Sequence, residues 1–299
     1  MRQQVEAELV IRNELAEQFS VIGDEVYRKE TEDKTVHLMQ CETANKERCG
    51  YSEVVSLEQV NAVNNAITAF NNGMLNTEEM ALMTAYMQAS GMQLQDGVLV
   101  IVNPRIDNVV AEGTWVVYKK VQEVFGFGSS SVGDLNLALE AIAAAQGAQY
   151  NTLAHSAGNF GVAEMNRRLE EAGRTDAAIG TQTMFGSPVN AQSQADRVHT
   201  ITSGQGTVQQ STHVKDFVGT LFGSNPPTGG EENTPALRSH SAYTGDLTTS
   251  GSEERQVELP GFIEPLEMRR RTDAAWDEGQ YSRPVTVTPR NSVEPNQGN

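Results

Sequence analysis

The 299-residue chain carries 39 acidic and 22 basic residues, for a net charge of −17, and is 38% hydrophobic, with a mean hydropathy of −0.42. Its length allows a sizeable core, as one large domain or two small ones, while the low hydropathy predicts polar segments beside a folded centre. The acidic balance speaks against general nucleic-acid binding, which needs a basic surface to displace condensed counterions, and no run of about eighteen apolar residues offers a transmembrane segment.

The start, Met1-Arg2-Gln3-Gln4-Val5, lacks the apolar core of a signal peptide. That leaves a cytoplasmic protein, if Met1 is a native start, or a piece of a larger secreted chain. Residues 5–30 read as an acidic helix, with Val5, Leu9, Leu15, Phe19, Ile22 and Val26 at roughly helical spacing. From 34 to 53 the pattern breaks up around Cys41 and Cys49, the two cysteines of the chain, and an irregular region is expected. The charges between them (Glu42, Lys46, Glu47, Arg48) suggest an exposed loop that a disulfide could close; two unrelated thiols fit equally well. The local sequence offers too few ligands for a metal site.

Ser56-Leu57-Glu58-Gln59 has the form of a capping box, opening a helix with Val60, Val63, Ile67 and Phe70 on one face and ending at Asn71-Asn72-Gly73. A second helix is expected from an Asn76 cap, with Met80, Met83 and Met87 on one face. Such a methionine face suits an ordinary core helix, or a groove or lid for an acyl chain. Residues 97–102 form a near-continuous, β-branched apolar run, read as a strand buried on both faces as in parallel sheets.

A helix over 107–125 follows, with Val110, Trp115, Val117, Val121 and Val124 as its apolar side. The Gly/Ser stretch 126–133 lacks the lysine and spacing of a phosphate loop and reads as a linker, so no cofactor is expected. Residues 135–145 read as an Ala-rich helix, 177–185 as a strand, and 197–202 as a further, alternating strand. The order of elements fits an α/β domain with a mostly parallel sheet flanked by helices. Three regions result: a helical and irregular N-terminal part (1–54), the α/β domain (55–245), and a polar, flexible tail (246–299) rich in Ser, Thr, Glu, Pro and Gly.

The chemistry centres on Ala154-His155-Ser156-Ala157-Gly158, between a short strand and a helix ending near Gly173. A serine at such a cramped turn is pushed clear of the backbone, and the positions two before and two after it must be small. Ala154 stands where glycine is usual, but size rather than glycine is the demand. Serine needs a histidine to take its proton and a carboxylate to orient that histidine, in the chain order Ser, acid, His.

Of five histidines, His37 precedes the sheet, His155 lies inside the turn and should point away from the base, and His199 sits mid-strand. His213 and His240 remain, and His240, on a late loop, is the preferred base. Among Asp196, Asp216 and Asp246, Asp216 has the right order and follows the expected 197–202 strand. The oxyanion hole is expected from the Ala157 amide and a second amide after the 97–102 strand, near Asn103, with Pro104 and Arg105 as candidates.

Asn103-Pro104, the Ala154–Gly158 elbow, Phe185-Gly186-Ser187-Pro188-Val189-Asn190, Asp216-Phe217-Val218-Gly219, Gly223-Ser224-Asn225-Pro226 and His240-Ser241-Ala242-Tyr243 occur in this order. Together they resemble the lipase-like α/β-hydrolase modules of filamentous-haemagglutinin-type and contact-dependent-inhibition proteins of bacteria; residues 70–76 resemble a segment preceding the sheet there. The resemblance covers about residues 55–245. It implies an α/β-hydrolase-like fold, a Ser156–Asp216–His240 triad, export within a giant secreted or cell-surface protein, delivery into target cells, and a cognate immunity protein as partner. The expected function is a serine hydrolase of esterase or lipase type, acting on a lipid or other ester through an acyl-enzyme. The alternative is a catalytically inactive hydrolase-like scaffold or translocation module. A nuclease or deaminase toxin is disfavoured by the charge and the lack of His/Cys metal spacing.

Overall fold

In the computed structural model, which describes residues 34–41, 49–54, 56–73, 78–92, 97–103, 109–125, 130–234, 239–240, 243 and 265–290, the apolar run after Gly97 is a strand, β4 (Val98–Val102), buried along its whole length. Val98, Val100 and Val102 enter one core with Met39, Phe70, Leu153, Phe185 and Tyr243. Leu99 and Ile101 enter another with Ile67, Leu139, Tyr150, Phe160 and Val198. Strand side chains alternate between faces, so an unbroken apolar run is what a strand covered on both sides requires.

The other strands are β1 (Thr35–Cys41), β2 (Cys49–Glu53), β3 (Ala66–Asn71), β5 (Gln149–His155), β6 (Ile179–Phe185), β7 (Thr207–Ser211) and β8 (Val285–Thr286). They form one eight-stranded sheet in the order β2-β1-β4-β3-β5-β6-β7-β8. The middle five, β4-β3-β5-β6-β7, are parallel, and β1, β2 and β8 are antiparallel additions at the edges. Helices α1 (Glu78–Gly91) and α6 (Pro265–Asp277) pack together, and α1 covers the first core with Ala81, Ala85 and Met87. The opposite face is covered by α3 (Ser131–Ala145), α4 (Asn159–Glu171) and α5 (Ala191–Ile201), with Trp115 of α2 (Val109–Phe125) beside them. The protein is therefore of the α/β class, with a mixed, mostly parallel sheet between helical layers. Among the described residues no helix is long and apolar enough to cross a membrane.

Several sequence expectations are corrected. Of the region expected to be irregular over 34–53, residues 35–41 and 49–53 form the β1–β2 pair, in which Cys41 and Cys49 are Cα partners; the loop expected over 42–48 lies outside the described residues. The helix expected from Ser56 stops after a single turn, Leu57–Gln59; Ile67 and Phe70 belong to β3 and sit on its opposite faces. Their spacing of three suits a helix face, but it also places two apolar residues on opposite sides of a doubly covered strand. The strand expected at 197–202 is the end of α5, whose buried Ala191, Gln194, Ala195, Val198 and Ile201 follow a helical period. Asn190 caps it by accepting from the Ser193 amide at 2.9 Å.

The tail also departs from expectation over 265–290. There α6 packs on α1, and β8 extends the sheet beside β7. The sheet thus crosses both boundaries expected near 54 and 246. The helix expected over 5–30 lies outside the described residues.

Candidate active site

β5 ends at His155 and passes at once through a tight turn, Ser156–Gly158, into α4. Ser156 has φ +53°, a left-handed conformation that costs a non-glycine residue about 1–2 kcal/mol. Asn159 fastens the turn: its Nδ2 donates to the carbonyl of Ser156 at 2.8 Å and to that of Ala154 at 3.2 Å. The demand for small neighbours is physical. Ala154 is buried in the sheet, and a Cβ on Gly158 would stand 2.3 Å from the Asn71 carbonyl oxygen and 2.6 Å from that of Asn72. Both are backbone atoms at the end of β3, which cannot swing aside as a side chain can.

The strand order explains where the turn sits. From β3 the chain proceeds to β4 on one side, and from β5 to β6 and β7 on the other. The crevice at the carboxyl ends of adjacent strands whose connections diverge is the usual place for a ligand in an open α/β sheet. Ser156 follows β5 there, and Asp216 follows β7 in the same way.

Ser156, Asp216 and His240 are brought together. The Ser156 hydroxyl lies 2.8 Å from His240 Nε2, and His240 Nδ1 lies 2.9 Å from Asp216 Oδ1. This geometry suits the Nδ1–H tautomer, with the ring donating to the carboxylate and accepting from the serine. Asp216 is fully buried, and its remaining acceptor capacity is met locally. Oδ1 also accepts from the Val218 amide at 2.9 Å and the Gly219 amide at 3.3 Å, and Oδ2 accepts from the Tyr243 hydroxyl.

Burial alone would raise the Asp216 carboxyl, but the hydrogen bond and charge of His240, with the Tyr243 and Gly219 donors, hold it below the ordinary carboxylate value. The Tyr243 phenol is pushed well up by its own burial and by the Asp216 charge, so it remains a donor. Gly186, at φ +52°, leaves the room this pair occupies: a Cβ there would stand 2.7 Å from Asp216 Oδ2 and 2.9 Å from His240 Nδ1.

The other candidates fall elsewhere. His37 is in β1, within the sheet rather than before it, and pairs with Glu78 at 3.1 Å. His199 is in the last turn of α5, and His213 is buried, its Nδ1 accepting from the Lys215 amide at 3.1 Å. Asp196 is bound to Arg290 Nε at 2.7 Å, and Asp246 lies outside the described residues. Met87 is buried in the core with Met83 packed against that core, which favours the core-helix reading of α1; the Met80 side chain lies outside the described residues.

Of the residues expected near the second oxyanion donor, only Asn103 is described. The Asn103 amide is taken by Asn72 Oδ1 at 2.7 Å, Pro104 has no amide hydrogen, and both Pro104 and Arg105 lie outside the described residues. The backbone that reaches the serine is the end of β3, where a Cβ on Gly73 would stand 2.9 Å from Ser156 Cβ. The backbone directly after β3 therefore lies against the Ser156 side chain. A cavity of about 10 Å³ lined by Asn72, Asn103, Trp115 and Ala157 has room for about one water.

Sequence reasoning missed three supporting residues. Tyr243 and Asn159 carried signals, as a polar-tipped aromatic three residues after the base and an Asn directly after the turn, but nothing in either spacing names its partner. His155 was expected to point away from the base. Instead its ring lies 5.0 Å from that of His240 between centroids, and its Nε2–H donates to the His240 carbonyl at 2.8 Å. The C-terminal segment contributes too: Trp276 Nε1 of α6 donates to the Tyr243 carbonyl at 3.1 Å. Compared with known proteins, the chain matches no protein-family model, no curated protein and no solved structure.

Proposed function

We propose that this protein is a serine hydrolase of the esterase or lipase type, on an α/β-hydrolase-like scaffold, cleaving its ester through an acyl-enzyme. The observation that carries the reading is the unbroken hydrogen-bonded chain from Ser156 through His240 to the buried Asp216. His240 Nε2 takes the Ser156 proton as Oγ attacks the ester carbonyl, and Asp216 steadies the imidazolium that forms. The oxyanion is held by the Ala157 amide and an amide after β3. His240 then gives its proton to the departing alkoxide, leaving the acyl group on Ser156. In the second half the base takes a proton from water, hydroxide adds to the acyl carbon, and the acid leaves as Ser156 regains its proton.

An apolar acyl group is supported by Phe217 and Leu221, 45% and 72% exposed directly after the acid. A larger secreted bacterial protein and a cognate immunity partner are carried by the sequence resemblance and belong to the same proposal. The test is intact-mass labelling with a fluorophosphonate. A single adduct on the wild type, absent from Ser156→Ala and much slowed in His240→Ala, is expected. A folded wild-type protein that takes no adduct would overturn the reading in favour of an inactive scaffold.

A further inference from the structure

We infer that His155 is a positioning residue for the base: its Nε2–H holds the His240 main chain and thereby sets the imidazole between Ser156 and Asp216. This deepens the hydrolase reading and rests on it for its catalytic consequence, but the clamp itself is a structural statement. His155 is the last residue of β5, one before the nucleophile. Strand and turn geometry therefore fix its position together with that of Ser156, and the 2.8 Å bond to the His240 carbonyl ties base and nucleophile to the same backbone. The imidazole of His240 is held at its two nitrogens by Ser156 and Asp216, and the clamp adds a third anchor on its main chain.

The tautomer follows from the partners. Nε2 faces a carbonyl and must carry the hydrogen, while Nδ1 is buried without a hydrogen-bond partner among the described residues, close to Gly73, where a Cβ would stand 3.3 Å from it. A second proton on Nδ1 would thus be buried beside Gly73 with no acceptor among the described residues, which disfavours the charged ring. Among the described residues, the titratable groups facing His155 are His240, Asp216 and the Tyr243 ring, the last at 6.0 Å between centroids. Burial first, then the His240 neighbour, pushes the His155 imidazole down to about 4. A neutral ring is what tolerates a positive His240 beside it during each turnover; a second cation there would oppose it.

Two substitutions separate the clamp from simple packing. His155→Phe keeps an aromatic ring and removes the donor. His155→Gln loses the ring, but its amide nitrogen lies as many bonds from Cα as Nε2 and can donate to the same carbonyl. The first readout is independent of turnover: the downfield proton resonance of His240 Nδ1–H, which reports its bond to Asp216. It is expected to broaden or vanish in His155→Phe and to persist in His155→Gln. The second is the rate of fluorophosphonate labelling and ester turnover. His155→Phe should lower kcat by up to about 100-fold with KM little changed, as for a misplaced catalytic group, and His155→Gln should restore most of the loss.

A resonance unchanged in a folded His155→Phe, with Ser156 as reactive as in the wild type, would overturn the inference. Equal loss in both variants, each folded as the wild type, would show that a donor at this position does not set the base and would also overturn it. A wild type that shows the resonance and the Phe/Gln contrast but takes no adduct would sink the hydrolase reading and leave the clamp standing.

Discussion

Gly158→Ala adds one methyl group at the most constrained point of the turn. Its Cβ would lie 2.3 Å from the Asn71 carbonyl oxygen, against 3.4 Å for ordinary contact, so backbone must move by roughly 1 Å. The group that must give is the end of β3, which is held in the sheet by β4 and β5. Overpacking of this kind costs about 1–3 kcal/mol. The same strand end carries Gly73 against Ser156, so a shift that relieves the clash displaces the amides proposed for the oxyanion. A displacement of about 1 Å at a reacting centre can cost about 100-fold in rate.

The assays are the urea midpoint, read with an unchanged m-value, and the fluorophosphonate labelling rate. Ala154→Gly is the control at the partner position of the turn: it removes a buried methyl without adding a clash, and should cost about 1–2 kcal/mol through backbone entropy and lost burial, with labelling little changed. A Gly158→Ala protein with wild-type midpoint and wild-type labelling would refute the steric account of the turn.

Acid should destabilise the fold through His155. Its folded value of about 4 lies below the ordinary 6.5, so between these values the unfolded chain binds more protons and stability falls as pH is lowered from 6.5 towards 4. The loss reaches about 3 kcal/mol by the lower end, and the gap between wild type and His155→Gln should change by that amount between pH 7.5 and pH 4; parallel curves would exclude it. Burial pushes the His213 imidazole down as well, but that contribution is common to both proteins and cancels in the comparison. Tyr243→Phe removes the donor to Asp216 Oδ2, a hydrogen bond to a charged group, and should cost about 1.5–3 kcal/mol of stability. A urea midpoint equal to that of the wild type would refute it.

What the chain alone determined were features whose physics is local or comes from solvent exclusion. The run of residues 98–102 reads as a doubly buried strand because a polar residue on either face would be left without water or a partner. The turn at Ser156 is legible because its steric demand for Ala154 and Gly158 acts over five residues. The order of Ser156, Asp216 and His240 follows from the way successive strands deliver loops to one edge of a parallel sheet.

Tertiary structure decided the rest. Ile67 and Phe70 have helical spacing, yet they are strand residues because β4 and β5 pair on both sides of β3. Residues 197–202 are β-branched enough for a strand, but the cap at Asn190 and the burial of one face make them the end of a helix. Residues 265–290 are too polar to predict a fold of their own, and they gain one from α1, Tyr243 and the open edge of β7. His155 and Tyr243 acquire their roles from partners 85 and 27 residues away. Hydrogen bonds of that kind leave no periodicity in a sequence, because they depend on where two separate strands end in space.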